Sequence, residues 1–88
     1  MSAELHITSA VAFVRPERVD DLARRIVQDC LAEVPRIDPR GRIVLLLERA
    51  STGAVLDSID AIRALPGVLA VHLVYQHAEE ASTLEDSP

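Results

Sequence analysis

The sequence predicts an α+β domain: a four-stranded antiparallel sheet with two helices packed on one of its faces. Three observations carry this reading. The apolar residues switch between a period of two and a helical period in the order strand, helix, strand, strand, helix, strand. The links between these segments are short and hold the Pro, Gly and Asp residues that turns require. Finally, 88 residues suffice for one domain, and a hydrophobic content of 49% is too high for a disordered chain.

The first strand is LHITSAVAFV (5–14), rich in β-branched residues and ended by Arg15-Pro16. Pro16 suits the first turn of a helix, where no backbone donor is needed. Val19, Leu22, Ala23, Ile26, Val27, Cys30 and Leu31 then fall on one helical stripe, with Asp20, Asp21, Arg24, Arg25 and Gln28 on the opposite side. On this pattern Cys30 is a small buried core residue. Pro35 closes the helix and leaves Glu33–Ile37 as a short strand, suited to a sheet edge because Pro cannot donate to a ladder. Asp38-Pro39-Arg40-Gly41 fits a type I turn into the third strand, RIVLLLE (42–48). Ser51 or Thr52 caps a second helix carrying Val55, Leu56, Ile59, Ile62 and Leu65, and Pro66-Gly67 ends it. Val68–Gln76 is the last strand. The order β-α-β-β-α-β is the split βαβ, or ferredoxin-like, plan, with the first and third strands central.

We expect a folded domain over residues 1–77 and an acidic, flexible tail over 78–88. The net charge is −5, yet residues 1–75 hold 10 acids against 9 arginines, a net of −1, so the acidity sits in Glu79, Glu80, Glu85 and Asp86. With no basic cluster, nucleic acid is not an expected partner. The apolar run 5–14 is half a membrane span, and no basic segment precedes it, so neither a membrane segment nor a secretory signal is expected. Arg24-Arg25 sits inside a helical pattern and is no export signal. The reading is a cytoplasmic protein.

Side-chain alternation separates the two faces of the sheet. Ile43, Leu45 and Leu47 point to the helices, as do Ala10 and Ala12, whose small size allows close helix–sheet approach. Leu69, Val71, Leu73 and Tyr75 are assigned to the same side of the last strand. The opposite face then carries Ile7, Ser9, Val11 and Phe13, Arg42, Val44, Leu46 and Glu48, and Val68, Ala70, His72, Val74 and Gln76. Such an apolar face is either an interaction surface or the seat of a second copy in a weak homodimer, and pattern alone does not choose between them.

Little here suggests chemistry. His6, His72 and His77 lack a second pair at metal-ligand spacing, and the lone Cys30 excludes a Cys-x-x-Cys site. Gly41, Gly53 and Gly67 sit at turns or caps rather than in a phosphate loop. The sequence contains no Asn, which the acylphosphatases of this architecture require, and only Phe13 and Tyr75 are aromatic, too few for an RNA-stacking surface. We expect a binding protein without enzymatic activity, cofactor or metal.

One stretch is more specific. LPGVLAVHLVYQHAEE (65–80), together with SAVAFVRPERV (9–19) and GRIVLLLE (41–48), resembles the NapD family of maturation chaperones of the periplasmic nitrate reductase. LAEVPRIDPRG departs most from the family pattern, because Pro35 interrupts the second strand. The resemblance implies a cytoplasmic chaperone that binds the twin-arginine signal peptide of the nitrate reductase catalytic subunit and restrains export until molybdenum cofactor insertion, with no cofactor of its own. The peptide-binding set it implies on this sheet is Ile7, Val11, Phe13, Val44, Leu46, Glu48, His72 and Val74. The competing reading is an ACT-type small-ligand regulatory or dimerisation domain, which shares the architecture.

Overall fold

The computed structural model describes residues 4–80. Its elements are β1 (Glu4–Val14), a single 3₁₀ turn (Pro16–Arg18), α1 (Val19–Gln28), β2 (Glu33–Asp38), β3 (Arg42–Arg49), α2 (Thr52–Arg63) and β4 (Val68–Glu80). The strands form one sheet in the order β2-β3-β1-β4, every neighbouring pair antiparallel, which is the ferredoxin-like arrangement predicted.

The core lies between the sheet and the helices. Ala10 and Ala12 are fully buried, and with Ile43, Leu45, Leu47 and Val71 they meet Leu22 and Ile26 of α1 and Val55, Ile59 and Ile62 of α2. Burying side chains of this size contributes about 1.5–3 kcal/mol each, enough to fix which strand face is covered. Both edges of the sheet resist a further strand. Pro35 interrupts β2 where its register slips between Glu33 and Arg36. On β4, Arg63 Nη2 donates to the Val71 carbonyl at 3.2 Å, and two register shifts distort the ladder.

Turn chemistry follows the sequence closely. Ser51 caps α2, its Oγ accepting from the Ala54 N–H at 3.1 Å. In the hairpin turn the Gly41 N–H donates to Asp38 O at 3.0 Å, and Asp38 Oδ1 accepts from the Arg40 N–H at 2.9 Å. Gly41 has φ +116°, and a Cβ there would lie 2.5 Å from Val14 O. Its own carbonyl accepts from the Val14 N–H at 2.8 Å, so the hairpin tip is locked onto the end of β1.

Three local expectations are corrected. Cys30 is exposed, not buried: α1 ends at Gln28 and Cys30 takes the left-handed conformation, φ 55°. The Cys30 N–H bonds Val27 O and the Leu31 N–H bonds Ile26 O, the paired bonds of a Schellman cap, and this turn swings Cys30 off the stripe. Val27, from the same stripe, is 52% exposed. Lastly, β4 does not stop at Gln76 but runs to Glu80, pairing Glu79 with Leu5 and Glu80 with Glu4. The expected tail beyond Glu80 lies outside the described residues.

Candidate functional site

The face opposite the helices is built from cross-strand rows, because residues directly paired in an antiparallel ladder point the same way. One row is Asp38–Arg42–Phe13–Ala70, the next Arg36–Val44–Val11–His72, the next Glu33–Leu46–Ser9–Tyr75, and the last Glu48–Ile7–His77. Alternation in β1 and β3 is as the sequence predicts. Thr8, Ala10, Ala12 and Val14 are buried beneath the helices, while Ile7, Val11, Phe13, Val44 and Leu46 are half-buried on the open face. Arg42 and Glu48 are exposed at its two ends.

The last strand departs from simple alternation. Ser9 pairs with Tyr75 but Ala10 with Leu73, so Val74 is an extra, unpaired residue. A second shift between Phe13 and Val14 leaves Leu69 unpaired in the same way. Each bulge reverses the parity beyond it. Tyr75, assigned to the core by alternation, therefore lies on the open face and is 55% exposed, while Gln76 pairs with Thr8 on the helix side. Val68, assigned outward, pairs with buried Val14 and packs against the core. Leu69, assigned inward, is 65% exposed at its bulge. Leu73 does lie beside Ala10 on the helix side, yet it remains 48% exposed on this edge strand. Val74 belongs to the bulge rather than to a row of the face.

Seven of the expected set therefore share the open face: Ile7, Val11, Phe13, Val44, Leu46, Glu48 and His72. Phe13 and His72 touch, with ring centroids 5.0 Å apart and planes inclined by 58°. Tyr75 and His77 stack at 6.1 Å along the edge strand. Alternation missed Tyr75 and His77 because nothing in the sequence marks the bulge at Val74. It also missed Glu33 and Arg36, which reach this face only through the irregular pairing around Pro35.

Charge on this face is segregated. Glu48 and Arg42 stand at opposite ends of β3 with the Leu46 and Val44 rows between them, while on β2 Glu33 and Arg36 flank those two neighbouring rows, Glu33 toward Glu48 and Arg36 toward Arg42, and Asp38 shares the Arg42 row. A hollow of about 360 Å³ lies beside the acidic end, reaching from Glu33, Leu46 and Glu48 round to Val27, Cys30 and Arg49 on the helix side. At the basic end Asp38 is held by Arg40, whose Nη2 lies 3.1 Å from Asp38 Oδ2. The Arg40 hydrogen bonds keep the Asp38 carboxyl below the ordinary carboxylate range.

Arg49 holds the acidic end in shape from behind. It pairs with His6 on the helix side of the sheet, and its Nη2 donates to Cys30 O at 3.0 Å and Leu31 O at 2.7 Å. Nε donates to Ser58 Oγ at 3.2 Å and Nη1 to Glu48 O at 2.9 Å. One guanidinium thus ties the end of α1, the end of β3 and α2 together, just where the chain enters β2 at Glu33. Among the described residues no group of three or more His, Cys, Asp or Glu stands in an arrangement that would hold a metal, and no helix is long and apolar enough to cross a membrane.

Comparison with known proteins agrees with this geometry. Residues 5–80 match the family described as NapD protein. The chain is 37% identical over 81 residues to Chaperone NapD of Paracoccus pantotrophus, covering 92% of this chain and 71% of that protein. It is 29% identical over 89 residues to Chaperone NapD of Escherichia coli K12, covering all of both. Among solved structures it is similar to the solution structure of the E. coli Tat proofreading chaperone protein NapD, with a TM-score of 0.78 and 29% identity over all of this chain and 92% of that one. Its relatives are named as chaperones rather than enzymes, and the chain itself belongs to the NapD family of chaperones.

Proposed function

We propose that this chaperone acts in the cytoplasm by binding the twin-arginine signal peptide of the periplasmic nitrate reductase catalytic subunit, restraining export until the molybdenum cofactor is inserted. The observation that carries the reading is the open sheet face itself, an apolar surface ending in two carboxylates. A twin-arginine leader joins two guanidinium groups to an apolar segment, and the face offers each part a complement. Val11, Phe13, Val44 and Leu46 supply apolar contact. Glu48, exposed at the rim, accepts a guanidinium in the bidentate geometry that distinguishes arginine from lysine. Pro35 on β2 and the bulges and Arg63 contact on β4 interrupt both sheet edges, which supports the face over an edge as the peptide's seat.

The test is a titration of the full chain with the leader peptide, followed by amide chemical shifts and calorimetry. Shifts concentrated on Ile7, Val11, Val44, Leu46 and His72 are expected. Leu46→Gln, which removes apolar contact without adding charge, should weaken binding by about tenfold or more, equivalent to ~1.4 kcal/mol or more. Unchanged affinity would rule out the sheet face as the site. Glu48→Arg should weaken binding to the Arg-Arg peptide more than to a Lys-Lys peptide, and equal losses would remove the bidentate role.

A further inference from the structure

We infer that the leader lies on the sheet in one direction only, its arginine pair at the Glu33–Glu48 end and its apolar segment running toward Phe13 and the Arg36–Arg42 end. This rests on the reading that the open face binds the leader, and it specifies how. The ladder register supplies the frame. Glu48 pairs with Ile7 and Glu33 with Leu46, whereas Arg42 pairs with Phe13 and Arg36 with Val44. Glu48 and Arg42 are six positions apart on β3, so the two ends of the face are separated by ~20 Å.

Neither end is neutralised by its surroundings. Among the described residues the carboxylates of Glu33 and Glu48 engage no cation, and the guanidiniums of Arg36 and Arg42 make no hydrogen bond or ion pair. The one acid paired with Arg42, Asp38, is hydrogen-bonded to Arg40 and feels Arg42 only as a longer-range charge. With a screening length of ~8 Å at physiological salt, Glu48 and Arg42 act on a bound charge independently of each other, while Glu33 and Arg36, in neighbouring rows, add to the gradient between them. An arginine pair laid at the first end meets the carboxylates of Glu33 and Glu48. Laid at the second end, the same pair meets Arg36 and Arg42, and the one carboxylate in that row, Asp38, is already hydrogen-bonded to Arg40. The apolar rows between the ends, Leu46 with Ser9 and Val44 with Val11, accept an uncharged segment in either direction, so the charges alone choose.

The experiment uses the full, isotope-labelled chain and a leader peptide carrying a nitroxide either before its arginine pair or after its apolar segment. The first label should broaden the Ile7 and Glu48 amides at least about tenfold more than those of Arg42 and Ala70, since the effect falls steeply with distance over ~20 Å. The second label should give the mirror pattern. A reversed pattern, or equal broadening at both ends, overturns the inference while leaving the face as the binding site. If no open-face amide responds, or if sedimentation shows that a second copy covers the face and excludes the peptide, the proposed function falls with it. Exchanging all four charges, Glu33→Arg and Glu48→Arg with Arg36→Glu and Arg42→Glu, should turn the pattern around. An unreversed pattern in a variant with a native-like amide spectrum overturns the role of charge in setting direction.

Discussion

Replacing Arg49 tests whether the acidic end of the face is held in shape by one side chain. Arg49 makes two hydrogen bonds to carbonyls at the end of α1, one to Ser58 Oγ and one to Glu48 O. Net contributions of about 0.5–1.5 kcal/mol per bond give roughly 2–4 kcal/mol for the set after allowing for its partial exposure. A domain of this size has a total stability of about 5–10 kcal/mol, so the loss is a large fraction of it. Arg49→Met keeps the apolar stem and removes every donor. It should lower the unfolding free energy by that amount, read as a lower urea midpoint at an unchanged m value, and reduce the melting temperature by roughly 10–25 °C. Arg49→Lys should recover less than half, because a single ammonium cannot span acceptors on three elements. Hydrogen exchange in residues 30–33 should accelerate in both variants. A loss in Arg49→Met below ~0.5 kcal/mol, or full recovery in Arg49→Lys, would refute the reasoning: in the first case the bonds are marginal, in the second only charge matters.

Other changes probe the remaining joints. Gly41→Ala places a Cβ 2.5 Å from Val14 O at φ +116°, and the strain with loss of the Val14–Gly41 hydrogen bond should cost roughly 2–5 kcal/mol in denaturant unfolding. Thr8 is fully buried, and its hydroxyl has no hydrogen-bond partner among the described residues; Thr8→Val should raise stability by ~1 kcal/mol, and a loss would show that the hydroxyl is satisfied in solution. The Asp38 carboxyl is held below its unfolded pKa by Arg40, so its contribution is present above the ordinary carboxylate pKa and is lost as pH falls through the lower folded value. Asp38→Asn should remove that part of the acid limb of the stability profile, and the change should be small because the pair is solvated.

The sequence determined the order and kind of every element, because local periodicity, proline positions and caps act over distances that a single chain segment contains. The alternation in 5–14 and 42–48 was enough to assign Ile7, Val11, Phe13, Val44 and Leu46 to one face, since burying Ile43, Leu45 and Leu47 leaves the other parity no choice. Tertiary structure alone decided the last strand. Its bulges at Leu69 and Val74 answer to the pairing of β4 with β1, which no local pattern encodes, and they moved Tyr75 and His77 onto the open face. It also decided the charge geometry: Glu33 and Arg36 are of opposite parity, yet the slipped register around Pro35 sets both on the open face, one beside Leu46 and the other beside Val44. Arg49 was an ordinary strand-end charge in the sequence and became a tie among three elements only when the fold brought Cys30, Leu31 and Ser58 within its reach.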